Sequence, residues 1–168
     1  MRVVLIAAVT ADGYIGRDSH HVADWTSNAD KKAFVALTKE LGVMVMGART
    51  FDTIGKALPG RKTIVYTTRP ELKQRSDITT TILEPADLIH ELEKSGANGL
   101  AVCGGASVYT QFMAAGVVDE LHLTIEPVVF GAGVRLFEAE MANNLSIKDV
   151  KQLTDNVIQV QYIVHKSA

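Results

Sequence analysis

The sharpest chemical signal in the sequence is a carboxylate on the apolar side of a helix. Ser27-Asn28-Ala29-Asp30 reads as a helix start with Ser27 as the N-cap, and the apolar stripe that follows is Phe34, Leu37 and Leu41. At ~100° per residue, Asp30 falls within about 40° of all three. It therefore shares the face meant for the core. Two readings stand side by side. Asp30 closes a capping box or answers the helix dipole; or it forms the floor of an apolar pocket, with a raised pKa and a ligand to hold. In the second case its two oxygens suit a pair of adjacent N–H donors, such as those on an amino-pyrimidine edge. Thr124, in Leu121-His122-Leu123-Thr124-Ile125, is either a strand-former or the hydroxyl partner of that carboxylate.

A second constellation is Val102-Cys103-Gly104-Gly105-Ala106-Ser107-Val108-Tyr109. A buried strand ends in two glycines and a helix begins. Glycines let the backbone approach a ligand closely, and a helix N-terminus offers free N–H groups to phosphate. In open α/β sheets, ligands bind at such strand ends. A plain strand-to-helix turn has the same pattern, and the spacing is not G-x-G-x-x-G. Two further strand ends carry cations and hydroxyls: Gly47-Ala48-Arg49-Thr50 and Thr67-Thr68-Arg69-Pro70. Together these groups suit the phosphates of a dinucleotide; singly, each is an ordinary solvated residue. Arg61, in Leu58-Pro59-Gly60-Arg61, either holds a substrate anion bidentately or is simply exposed.

Other chemistries find no support. The chain has no G-x-S-x-G, H-E-x-x-H or G-x-x-x-x-G-K-[ST] motif. Its five histidines lack ligand-like spacing, so no metal site is expected. Cys103, the single cysteine, reads as a small buried residue rather than a nucleophile. It can form no internal disulfide, which fits a cytoplasmic location.

These side chains need strands and helices to position them. Strands are expected at Val3–Val9, Val43–Met46, Thr63–Tyr66, Thr79–Leu83, Leu100–Cys103, Glu120–Val129, Leu145–Leu153 and Val157–His165. Helices are expected at Asn28–Leu41, Thr50–Ile54, Ala86–Lys94 and Ala106–Ala115. The alternation predicts an α/β three-layer sandwich with a mostly parallel central sheet, closed by an antiparallel C-terminal hairpin. In the last strand, Gln159 and Gln161 alternate with Val160 and Tyr162, so the glutamine face is expected to be the more exposed. With 168 residues, the chain is expected to be a single domain over 1–168. Net charge is −2, which gives no global field for nucleic acid; any anion site must be local. No apolar run is long enough for a bilayer, so no membrane partner is expected.

Taken in order, these segments resemble dihydrofolate reductase and its wider superfamily, which includes the reductase domain of riboflavin biosynthesis. Asp12-Gly13-Tyr14-Ile15-Gly16 resembles the mobile loop over the site. Trp25 to Asp30 resembles the tryptophan-to-acid spacing of the substrate helix. Met46-Gly47-Ala48-Arg49-Thr50-Phe51-Asp52-Thr53-Ile54-Gly55 followed by Leu58-Pro59-Gly60-Arg61 is the closest match. Gly104 to Tyr109 resembles the nicotinamide and pyrophosphate motif, and Asp119 to Thr124 carries the matching threonine.

The resemblance implies an NADPH-dependent oxidoreductase that reduces 7,8-dihydrofolate to tetrahydrofolate. Asp30 would bind the pterin edge and assist protonation, with Thr124 hydrogen-bonding Asp30. Ala8, Phe34, Ile54 and Leu58 would line the substrate and Arg61 would meet its carboxylate tail. Ala8, Ile15, Gly16 and Tyr109 would line the nicotinamide. Gly47, Arg49, Thr50, Thr67, Thr68, Arg69 and the run Gly104, Gly105, Ala106, Ser107 and Val108 would hold the rest of NADPH. Gly104 and Gly105 would be joined by a cis peptide. Ala48 stands where the family usually has a basic residue, so Arg49 or Arg69 must carry any 2′-phosphate preference. Glu126 to Phe137 looks more like the riboflavin branch, whose substrate is a ribosylated diamino-pyrimidinone phosphate. One cysteine excludes a fused zinc deaminase of the H-x-E…P-C-x-x-C type. A nucleotide-binding module without turnover is the alternative of another class. The partner is a small molecule, and the chain is expected to be a monomer or homodimer.

Overall fold

Residues 1–166 are described by a computed structural model. Ten strands and five helices alternate along them. The strands are β1 (Arg2–Thr10), β2 (Tyr14–Gly16), β3 (Val43–Gly47), β4 (Lys62–Tyr66), β5 (Thr79–Thr81), β6 (Gly99–Val102), β7 (Glu120–Glu126), β8 (Val134–Arg135), β9 (Asn144–Gln152) and β10 (Ile158–His165). The helices are α1 (Asn28–Leu41), α2 (Ala48–Ile54), α3 (Pro70–Lys73), α4 (Pro85–Lys94) and α5 (Ala106–Ala114).

Eight strands form one sheet in the order β5-β4-β3-β6-β1-β7-β10-β9. Every pairing from β5 to β7 is parallel, and β10 runs antiparallel to both of its neighbours. The central strands are apolar on both faces because helices cover both. On one face Leu37, Leu41, Phe51 and Leu72 of α1, α2 and α3 pack against Val4, Ile6, Met44 and Met46. On the other, Leu88, Leu92, Phe112 and Met113 of α4 and α5 pack against Val3, Leu5, Val45 and Val102. The result is the expected three-layer α/β sandwich.

Local chemistry sets the element ends. Gly42 and Gly55 stop α1 and α2 at positive φ, a conformation that costs other residues. Pro127 has no N–H for the ladder, and β7 ends at Glu126, short of the expected Val129. The expected strand at Thr79–Leu83 keeps only Thr79–Thr81. Helix α3 and the two-stranded β2–β8 pair lie outside the expected elements. Four residues or fewer leave no periodicity to read.

One expectation is overturned. The glutamine face of β10 is not the exposed one: Gln159 is 4% and Gln161 7% exposed, whereas Ile158 is 38% exposed. β10 lies between β7 and β9, and its glutamines face a polar stripe on β7 formed by Glu120, His122, Thr124 and Glu126, all buried. Hydrogen bonding replaces solvent there. Glu120 shows how: Arg2 donates to its two oxygens at 2.9 and 3.0 Å, Lys148 at 2.8 Å, and His122 lies 2.8 Å away. Burial alone raises the Glu120 carboxyl, but these bonds prevail and hold it at about 2. Among the described residues the sheet ends at β9, which pairs with β10 and is exposed along its whole length.

Candidate active site

A cleft of ≈ 830 Å³ opens where β1, β3 and β6 end and α1, α2 and α5 begin. This is the carboxyl end of a parallel sheet, the usual ligand position in such folds. Its walls include Ala8 of β1, Asp30 and Phe34 of α1, and Ile54 and Leu58 near the end of α2.

Asp30 sits one turn into α1, buried at the cleft floor. Ser27 Oγ accepts the Asp30 N–H at 3.1 Å, but Asp30 does not reciprocate. Glu126 does: one of its oxygens accepts both the Ser27 N–H and the Ser27 hydroxyl, each at 2.8 Å. The helix start is thus satisfied from β7, and the Asp30 carboxylate is left facing the cleft. Burial pushes its pKa up, the nearby Glu126 adds to the rise, and facing hydroxyls of Thr124 and Thr26 pull it down. Thr26 spends its proton on the Ala23 carbonyl at 3.2 Å. Thr124, whose hydroxyl proton has no other acceptor among the described residues, has the larger effect of the two. It lies behind the carboxylate, 0% exposed, outside the cleft wall.

The glycine pair stands across the cleft. The Gly104–Gly105 bond is cis. Gly104 carbonyl accepts the Gly47 N–H at 2.7 Å, which ties the end of β3 to the start of α5. A Cβ on Gly47 would touch Val108 at 3.4 Å, and one on Gly105 would press on the Thr50 hydroxyl at 3.3 Å. At Gly104 φ is +109° and a Cβ would lie 3.1 Å from the Tyr109 hydroxyl oxygen, so glycine suits that position. Gly105 caps α5 without a side-chain acceptor, so the first N–H groups of that helix stay available. Tyr109 donates to the Ile6 carbonyl at 2.7 Å, and burial holds its phenol well above the usual range. It is a neutral fixture.

The cations divide. Arg69 lines the cleft but donates to Asp52 at 2.7 Å. Arg49 also lines it and has no carboxylate partner among the described residues. Arg61 gives one donor to the Pro59 carbonyl at 2.7 Å and has its buried Nε unpartnered among the described residues. Burial pushes the Cys103 thiol well above its ordinary pKa, against the opposing pull of the nearby Arg61, and leaves it inert as a nucleophile.

Of the remaining expected residues, Ile15, Gly16, Gly47, Thr50, Ala106, Ser107 and Val108 line the same cleft. Thr67 and Thr68 do not; Thr67 is buried and its hydroxyl accepts the Arg69 N–H at 3.0 Å, shaping the turn before α3. Sequence reading missed Glu126, Gln159 and Phe130. Phe130 organises the rim: Trp25 meets it edge-on at 5.2 Å, His21 lies at 5.8 Å, and the Arg17 guanidinium stacks over it at 4.1 Å. Asp12 fixes the Phe130 and Gly131 N–H groups at 3.1 and 2.7 Å. A solitary aromatic in a loop gives no signal by itself. Among the described residues no group of His, Cys, Asp and Glu could hold a metal, and no helix is long and apolar enough to cross a membrane.

The family model described as dihydrofolate reductase matches residues 2–161. Dihydrofolate reductase type A13 of Escherichia coli is 31% identical, covering 94% of this chain and 93% of the relative. A Shewanella sp. PV-4 structure, provisionally described as a riboflavin biosynthesis protein, has a TM-score of 0.82 at 25% identity, covering 98% of this chain and 99% of that one. Enterococcus faecalis dihydrofolate reductase in complex with NADP(H) has a TM-score of 0.70 at 20% identity, covering 98% and 96%.

Proposed function

The chain belongs to the dihydrofolate reductase family, and from that premise we propose that it catalyses the NADPH-dependent reduction of 7,8-dihydrofolate to tetrahydrofolate. The observation that carries the reading is Asp30: a buried carboxylate in the cleft, relieved of capping by Glu126. Its two oxygens take the paired N–H donors of the pterin edge. Its raised pKa favours keeping a proton near the ring while hydride arrives. Thr124 steadies the charged form from behind. Phe34, Ile54 and Leu58 exclude water from the ring, and Arg61 offers its unpartnered donors to an anionic tail.

The residues present suit NADPH. The side-chain-free junction of Gly47, Gly104 and Gly105 and the uncapped start of α5 suit a pyrophosphate. Arg49, without a carboxylate partner among the described residues, offers a cation for a 2′-phosphate, and Arg69 is shared with Asp52. When bound, NADPH supplies the hydride. In this reading the enzyme is cytoplasmic.

The second reading is reduction of the ribosylated diamino-pyrimidinone phosphate of riboflavin synthesis. The full-length likeness to the Shewanella protein supports it, and Asp30 suits either amino-pyrimidine.

The test is NADPH oxidation followed by absorbance, with each substrate, in wild type and Asp30→Asn. Expected is turnover of dihydrofolate and a loss of at least ~100-fold in kcat/KM in the variant. Turnover of the pyrimidine alone selects the second reading, and NADPH binding without turnover refutes both. Arg49→Ala is expected to weaken NADPH far more than NADH; equal weakening removes the 2′-phosphate role.

A further inference from the structure

We propose that Gln159 is a positioning residue for the Asp30 carboxylate, acting through the hydroxyl of Thr124. The inference deepens the reading in which Asp30 meets substrate, and it rests on that reading.

Strand β10 pairs with β7 so that Gln159 lies opposite Thr124 and Gln161 opposite His122. Gln161 Nε2 donates to Gln159 Oε1 at 3.0 Å, and Gln159 Nε2 donates to Thr124 Oγ1 at 3.4 Å. A threonine hydroxyl has one proton and two lone pairs. With a lone pair of Thr124 engaged by Gln159, the proton is turned away from β10, toward Asp30. The run Gln161, Gln159, Thr124 therefore has its donors pointing the same way, and the hydroxyl on which it ends is the one that does most to lower the Asp30 pKa. Reversing Gln159 would place its oxygen on Thr124 and draw the proton away from Asp30.

Two buried glutamines in a strand interior are a departure from apolar packing, and buried amides cost free energy unless bonded. An apolar residue would pack as well in a sheet. A role at the neighbouring carboxylate accounts for both glutamines and for their orientation. The charged and titratable groups facing Asp30 are Glu126 from β7, Lys31 on its own helix and Tyr109 from α5. Gln159 adds no charge to this set; it fixes the direction of a dipole.

The test is a titration of Asp30 in ligand-free, full-length protein labelled with carbon-13 at aspartate carboxyls, the resonance being assigned with Asp30→Asn. Gln159→Met keeps length and bulk but removes the donor. Expected is a rise of about half a unit in the Asp30 midpoint, roughly threefold in proton affinity. Thr124→Val is expected to raise it by about one unit. In the Thr124→Val background Gln159→Met should add nothing, because its effect passes through the hydroxyl. Thr124→Ser should restore the response. Gln161→Met, one step further back, should give a smaller rise and serves where Gln159→Met does not fold. An unmoved or lowered midpoint overturns the proposal, and so does an equal rise with and without the Thr124 hydroxyl. No substrate enters this titration. A failure of turnover would therefore refute the functional reading and leave the titration standing, while an unmoved midpoint with normal turnover refutes only the role of Gln159.

Discussion

Glu126 holds the start of α1, and replacing it separates two effects that act at the same place. Its carboxylate, 2% exposed, accepts two hydrogen bonds from Ser27, both at 2.8 Å. A hydrogen bond to a charged group is worth about 1.5–3 kcal/mol net, against about 0.5–1.5 kcal/mol for a neutral pair. Glu126→Gln keeps an acceptor oxygen and loses the charge, so it should cost about 1 kcal/mol per bond, or roughly 2 kcal/mol. Relief of the repulsion between Glu126 and Asp30 returns part of that. Glu126→Ala removes the acceptor altogether and strands both Ser27 donors, so its cost should reach about 3–5 kcal/mol. Urea unfolding at neutral pH reads both values. The second readout has a fixed sign. Glu126 raises the Asp30 pKa, so either variant should lower the Asp30 midpoint toward its ordinary value. Alanine no costlier than glutamine would show that Ser27 does not depend on Glu126. An Asp30 midpoint that rises would refute the account of the carboxylate pair.

Three further outcomes are expected. Gly99→Ala places a Cβ 2.5 Å from Leu41 Cδ2 and 3.1 and 3.2 Å from its Cβ and Cα, so the helix itself must recede as well as the side-chain tip. Overpacking of this kind costs about 1–3 kcal/mol, with a Tm drop of roughly 2–4 °C per kcal/mol at this size; an unchanged melting curve contradicts the contact. The Glu120 carboxyl, held at about 2 in the fold and near ~4.3 when unfolded, adds stability above the higher value that is lost as pH falls toward the lower one. Glu120→Gln should flatten the acid limb of stability in that window, as seen in urea melts at stepped pH, and an unaltered slope would sink this. Cys103, nearly buried at the cleft wall with its thiol pushed up, should react with a thiol reagent far more slowly than an exposed cysteine, and labelling at the exposed rate would contradict that burial.

The features legible in the sequence were the local ones. The Ser27 cap, the Asp30 position on the apolar stripe and the strand–glycine–glycine–helix turn each span a few residues, and the structure has all three. What escaped reading depends on residues that meet across the chain. Glu126 and Ser27 are 99 positions apart, and Gln159 and Thr124 are 35 apart. Alternating glutamines ordinarily mark a solvent face, because water is the usual partner of an amide. In β10 the partner is the polar stripe of β7, which only the pairing register reveals. Thr67 shows the converse: a hydroxyl beside that of Thr68 invites a ligand reading, and the fold gives it a local use as well, accepting the Arg69 N–H in its own turn.

The outermost strand bears on how the protein behaves in concentrated solution. β9 ends the sheet with an open row of backbone donors and acceptors, beside the exposed side chains of Leu145, Ile147 and Val150. Such an edge is a template on which another chain can add a strand. Lys148, Asp149 and Lys151 lie within it, and stacking copies in register would bring like charges together at each of those rows. Asp149 and Lys151, which look like ordinary solvated surface, thus oppose such stacking, together with Lys148, which also reaches inward to Glu120.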